Sequence, residues 1–116
     1  MKLLVTRPMT PRATAAIKAA FDADFRDDGP LSAQQAAQAM HDYDAIMPTL
    51  GDAFTADAFA GDLRCKIIAN FGAGYNHIDI DAAKAAGVTV TNTPEVVTDA
   101  TADIALTLIL MTMRRA

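Results

Sequence analysis

The stretch KIIANFGAGYNHIDIDAAKAAGVTVTNTP, residues 66–94, decides the fold. Lys66 to Phe71 is a β-type apolar run that Gly72-Ala73-Gly74 breaks. Asp79 stands where an N-cap opens a helix over Ile80 to Ala86, and Gly87 takes the left-handed position that commonly ends one. Val88 to Thr91 is then a second β-type run, so the segment spells strand, helix, strand. A helical crossover joins parallel neighbours, and such connections are right-handed.

The same alternation extends toward the N-terminus. Lys2 to Thr6 reads as a strand, and Thr10-Pro11 starts a helix over about residues 11 to 20, with Thr as N-cap and Pro at the first helical position. Ala23 to Arg26 is a short second strand. Ser32 and Gln35, three apart, have capping-box spacing ahead of a second helix. Tyr43 to Pro48 is a third strand, and Thr55 is expected to cap a short helix ending at Gly61. After Asn92-Thr93-Pro94, Thr98 or Asp99 is expected to cap a last helix reaching Arg114 and Arg115, whose charges suit the C-terminal end of its dipole. Five strands alternating with helices predict a flavodoxin-like (βα)5 α/β fold, a doubly wound parallel sheet of order 2-1-3-4-5, with residues 1–116 as one domain.

Composition bounds the rest. The chain has 116 residues with 10 Lys or Arg and 14 Asp or Glu, a net charge of −4, and no basic run. That excludes the positive patch which nucleic acid or an anionic membrane surface requires. Cys65 is the only cysteine, so no intramolecular disulfide forms, and a reducing compartment fits. The N-terminal apolar stretch is too short for a signal-peptide core, and Ile104 to Met113 is too short to span a membrane, so a cytoplasmic location is expected.

Ligands of doubly wound sheets bind outside the carboxyl ends of the strands, which directs attention to four turns. Among them Gly72-Ala73-Gly74 is the most informative, because small residues let successive amides aim at one point, as in a nest for a carboxylate or phosphate. A plain strand-to-helix turn fits the triplet equally well. Gly72-x-Gly74-x-x-His77 imitates the dinucleotide fingerprint, but His77 stands where a small residue must let helix and strand pack closely. Two histidines, His41 and His77, without a cysteine or paired carboxylate at ligand spacing, argue against a metal site. His77 is expected to hydrogen-bond backbone. Ser32, the only serine, is committed to its cap. A phospho-acceptor receiver domain fails, because the strand ends carry Thr6-Arg7, Pro48-Thr49 and Asn92-Thr93 rather than acidic residues and Lys.

From Asn70 to Arg115 the chain resembles the D-isomer-specific 2-hydroxyacid dehydrogenases, through NFGAGYNHIDIDAAKAAGVTVTNTPEVVTDATADIALTLILMTMRR. VTNTPEVVTDATADIALTLIL is most similar to the glyoxylate/hydroxypyruvate reductase branch, and DAIMPTL at 44–50 is the clearest match upstream. The resemblance implies the N-terminal part of a flavodoxin-like substrate domain, with a Rossmann nucleotide domain outside these residues. It implies that the Ala73 and Gly74 amides hold the substrate carboxylate, that Leu50 lines the substrate pocket, and that Val97 and Thr101 approach the nicotinamide end of NAD or NADP. It assigns the catalytic Arg, Glu and His to positions beyond residue 116, so the expectation is a catalytic set of none in this chain, no cofactor bound by it alone, and no turnover. The implied partners are a small 2-oxo acid and the nucleotide domain.

The last helix is apolar nearly all round, from Ile104 through Met113, which anticipates burial on more than one side. Our expectation is that it folds back on the sheet as the fifth helix. The alternative is exchange in a homodimer through residues 99–115. A non-catalytic flavodoxin-like module that binds a partner through this helix is the competing functional reading.

Overall fold

The computed structural model describes residues 1–115. The strands are β1 (Lys2–Val5), β2 (Asp22–Phe25), β3 (Ala45–Met47), β4 (Ile67–Ala69) and β5 (Thr89–Thr91), and the helices are α1 (Pro11–Ala20), α2 (Ala33–Asp42), α3 (Ile80–Ala85) and α4 (Thr98–Arg114). All pairings are parallel, in the order β2-β1-β3-β4-β5, with Leu4 opposite Ile46 and Ile46 opposite Ile68 across the centre. The expected fold class is therefore the observed one. Only a short 3-10 helix, Ala56–Phe59, lies between β3 and β4.

Three helix starts are held as their residues dictate. The Thr10 hydroxyl accepts from the Ala13 amide at 3.3 Å, and the Asp79 carboxylate from Ala82 at 2.9 Å. Ser32 and Gln35 form the full capping box, at 3.2 and 3.0 Å. Two other expected caps fail. Thr55 makes no side-chain cap bond; its carbonyl instead accepts from the Ala58 amide at 2.9 Å, the tighter pattern of a 3-10 turn. Neither Thr98 nor Asp99 caps α4, because the backbone turn from Glu95 to Thr98 makes Val97 the boundary residue and places Asp99 inside the first turn.

Strand alternation divides the core. Leu4, Ile46 and Ile68 point to the face under α2, the 3-10 helix and α3, where Met40, Phe54 and Cys65 complete the main cluster. The opposite face has α1 over Leu3 and Val5 through Ile17, and beyond them Met47 and Ile67 are only partly buried. That half-face continues into a hollow of about 150 Å³ lined by Met47, Ala69, Asn70, Phe71, Thr91, Asn92 and Thr93.

The expected fold-back of the last helix does not occur. No residue of α4 is buried, and the helix projects so that the molecule measures 57 × 32 × 24 Å. Two features account for this. Glu95 adopts a left-handed conformation, φ 65°, which turns the chain just after Pro94. Apolar side chains from Ile104 to Met113 surround the helix, so no single stripe selects this sheet as its partner. Among the described residues, no helix is long and apolar enough to cross a membrane.

Glycine positions separate local need from open space. Gly87 ends α3 at φ +75°, where an L side chain is strained. Gly74 has no such φ, and a Cβ built there meets nothing within 4 Å. Gly87→Ala should therefore lower the unfolding free energy by about 1 kcal/mol, and Gly74→Ala by less than about 0.5 kcal/mol. Urea midpoints of the two variants check this; equal losses would refute the distinction.

Candidate functional site

The carboxyl ends of β3, β4 and β5 converge on the turn after β4. Every carbonyl from residue 71 to 74 accepts a hydrogen bond from the scaffold. The Thr49 hydroxyl donates to Phe71 O at 2.9 Å, and the Thr93 amide to Gly72 O at 3.0 Å. Asn92 Nδ2 donates to Ala73 O at 2.9 Å. Asn70 Nδ2 donates to both Gly72 O, at 3.1 Å, and Gly74 O, at 2.9 Å. In contrast, the amides of Ala73 and Gly74 donate to no acceptor among the described residues. Fixed carbonyls and free amides give this turn the polarity of an anion site.

Asp52 supports the site from below. Its side chain is wholly buried and accepts four bonds, from the Thr6 hydroxyl at 2.5 Å, the Leu31 amide at 2.7 Å, the Thr49 amide at 3.0 Å and Arg7 Nη1 at 3.1 Å. One carboxylate thus ties the end of β1 to the loops after β2 and β3. Because the Thr49 hydroxyl in turn holds Phe71 O, the carboxylate also sets the distance between the Leu50 loop and the glycine turn.

Leu50 follows Thr49 and is 74% exposed, outside the core. Val97 is 53% exposed at the start of α4, and Thr101 lies one helical turn later, its amide donating to Val97 O at 2.9 Å. The Thr49 bond to Phe71 O ties the loop that carries Leu50 to the start of the turn that holds Ala73 and Gly74. Val97 and Thr101 share the root of α4, and no hydrogen bond joins their side chains to the turn among the described residues.

Three residues of this region were not singled out in the sequence: Asp52, Asn70 and Asn92. Asn70 and Asn92 follow the ends of β4 and β5, and paired short amides at adjacent strand ends were the available signal. Asp52 had none beyond its place after Gly51. His77 also departs from expectation. Its Nε2 lies 2.9 Å from Asn70 Oδ1, so its partner is a side chain and not backbone.

Burial lowers the His77 pKa below its usual 6.5, with the Asp52 charge opposing, so the ring is neutral at pH 7. As pH falls, the unfolded chain takes up this proton first, and the contribution to stability present above about pH 6.5 is lost on further acidification. His77→Gln should therefore flatten the stability curve just below pH 6.5. Urea unfolding at successive pH values tests it, and parallel curves for the two proteins would refute it. Cys65 and Tyr43, pushed up to about 11 and about 12 mainly by burial, lie away from the turn. Among the described residues, no group of three or more His, Cys, Asp or Glu is placed to hold a metal ion.

Comparison with known proteins matches the chain to a family. Residues 3–112 match the model of the D-isomer specific 2-hydroxyacid dehydrogenase catalytic domain. A glyoxylate reductase of Thermococcus onnurineus is 36% identical over 115 residues, covering 98% of this chain and 34% of that protein. A protein of known structure from Thermus thermophilus superposes with a TM-score of 0.84 at 30% identity, covering 99% of this chain and 37% of that one. The D-lactate dehydrogenase of Escherichia coli superposes with a TM-score of 0.71 at 25% identity, covering 99% and 38%. The chain spans about a third of the length of the curated relatives it matches. A five-stranded parallel sheet of order 2-1-3-4-5 and a family match over nearly its whole length agree that the chain belongs to the D-isomer specific 2-hydroxyacid dehydrogenases.

Proposed function

We propose that this chain is the carboxylate-holding part of an NAD(P)-dependent reductase of small 2-oxo acids, of the glyoxylate or hydroxypyruvate type. The observation that carries the reading is the polarity of the turn: four carbonyls held by the scaffold and two amides, Ala73 and Gly74, left to donate. A carboxylate accepting two backbone N–H bonds is a charge-assisted arrangement. Leu50, exposed next to the Thr49 whose hydroxyl holds Phe71 O, is assigned as an apolar wall to the rest of a small acid.

Val97 and Thr101 fit an approach by the nicotinamide end of the cofactor. The Thr107 and Thr112 hydroxyls are consumed by their own helix, at 2.7 and 2.8 Å, whereas that of Thr101 donates to nothing among the described residues. When bound, the cofactor supplies the hydride for reduction at the 2-oxo carbon. The residues of this chain bind and orient: the two amides fix the carboxylate, and Leu50 bounds the side chain. Proton donation is not among their tasks, since Nε2 of His77 is committed to Asn70. We therefore expect no turnover by the chain alone.

Amide NMR of the 116-residue chain during addition of glyoxylate tests the reading. Shifts confined to Ala73, Gly74 and their neighbours are the expected result. A folded spectrum without them would move the weight to a non-catalytic binding module.

A second reading concerns α4. Ile104, Leu106, Leu108, Ile109, Leu110 and Met113 are each more than half exposed on one projecting helix. An apolar surface of this kind drives association, and we propose that the isolated chain forms a homodimer through residues 99–115. Light scattering should show a mass rising toward twice 12.3 kDa with concentration. A monomer at millimolar concentration would refute it.

A further inference from the structure

We propose that His77 and Asn70 form a positioning pair that sets the orientation of the Ala73 and Gly74 amides; the inference rests on the carboxylate-holding function proposed for that turn. Asn70 is 2% exposed, and both hydrogens of its amide are spent on carbonyls of the turn, Gly72 O and Gly74 O. Its orientation is thereby determined, because exchanging Oδ1 and Nδ2 would set an oxygen against two carbonyl oxygens. Oδ1 must then be the atom facing His77, 2.9 Å from Nε2, and Nε2 must carry the ring proton.

His77 is itself anchored to the core. Its carbonyl accepts from the Phe54 amide at 3.0 Å, and its neighbour Ile78 pairs with Phe54 as an isolated parallel bridge. The ring thus transmits a fixed position from the buried Phe54 segment to Asn70, and Asn70 transmits it to the two carbonyls that flank Ala73. A peptide plane carries its carbonyl and the next amide together. Holding Gly72 O therefore aims the Ala73 N–H, and the Asn92 bond to Ala73 O does the same for Gly74.

The other ring nitrogen supports a specific use of the imidazole. Nδ1 is buried and has no hydrogen-bond partner among the described residues. Buried polar atoms are rarely left so, and such an atom calls for a reason. Here the ring spends its proton at Nε2 on Asn70 Oδ1, and Nδ1 is carried along unpaired. The pair acts through the backbone amides and touches no substrate atom in this assignment.

The experiment uses the whole 116-residue chain with glyoxylate as the probe. Long-range proton–nitrogen correlation of the unmodified chain should show the Nε2–H tautomer of His77; the Nδ1–H tautomer would overturn the pair without recourse to any variant. His77→Phe should move the ligand-free resonances of Ala73 and Gly74 and weaken glyoxylate binding roughly tenfold, while His77→Gln, which keeps a side-chain donor, should restore most of both. Ligand-free resonances unmoved in a folded His77→Phe would overturn the positioning pair while leaving the carboxylate reading intact. Failure of the unmodified chain to respond to glyoxylate would overturn the carboxylate reading, and with it the purpose assigned to the pair.

Discussion

Asp52→Ala is expected to lower the unfolding free energy by about 3 to 5 kcal/mol, the range found when one partner of a buried charged network is removed. The magnitude follows from what remains behind. The Leu31 amide and the Thr6 hydroxyl lose a buried acceptor, and each unsatisfied group of this kind costs about 1 to 3 kcal/mol. The Thr49 amide is less enclosed, and Arg7, at 22% side-chain exposure, regains water, so these two add less. Asp52→Asn is expected to fall between, at about 2 kcal/mol, since its single oxygen still serves one or two of the four donors and its NH2 group opposes the rest. Urea unfolding measures both. A loss below about 1 kcal/mol for the alanine variant would mean that water takes the place of the carboxylate, and that the three loops do not depend on it.

The same substitution tests how the scaffold reaches the site. Through Thr49, Asp52 sets the bond to Phe71 O, so the amide resonances of residues 71–74 should move in Asp52→Asn even though Asp52 touches none of them. A glyoxylate response that survives these shifts unchanged would place the control of the turn in Asn70 and Asn92 alone.

What could be foreseen from the sequence divides by range. The caps at Thr10, Ser32 with Gln35, and Asp79 are bonds between residues three apart, and a reader of the chain sees both partners at once. The parallel sheet was legible for a related reason, since each strand and its crossover are contiguous. Asp52 was not legible, because Thr6 lies 46 residues from it and Leu31 lies 21 away. Asn92 reaches Ala73 across 19 residues. Ala73 and Gly74 were pointed to by the small side chains of their turn and a family resemblance, but the bonds that polarise it come from its own strand end and from the ends of β3 and β5. The direction of α4 was misjudged for a different reason. All-round apolar composition states that a helix needs cover and does not state from where, and the left-handed Glu95 that redirects the chain carries no glycine to announce itself.

Phe54→Ala is expected to cost about 3 to 5 kcal/mol, as large-to-small changes of buried aromatics do, and to damage the site as well as the core. Phe54 is fully buried in the main cluster with Met40, Ile46 and Ile68. Its backbone also accepts from the Asp79 amide at 2.8 Å and donates to His77 O, so it fastens the start of α3 and the base of the His77 ring at one point. A cavity here is poorly placed to collapse, because the segment is pinned on both sides and the hollow left by the ring lies between the sheet and the 3-10 helix. For a chain of this size, whose whole stability is on the order of 6 to 17 kcal/mol, that loss is a large fraction. Phe54→Leu keeps most of the apolar volume and should cost about 1 to 2 kcal/mol. If the two variants lose stability in this order while the Ala73 and Gly74 resonances shift only in Phe54→Ala, the core sets the turn through position 77. If both leave those resonances in place, the turn is held from the strand ends alone, and the link between core packing and anion recognition fails.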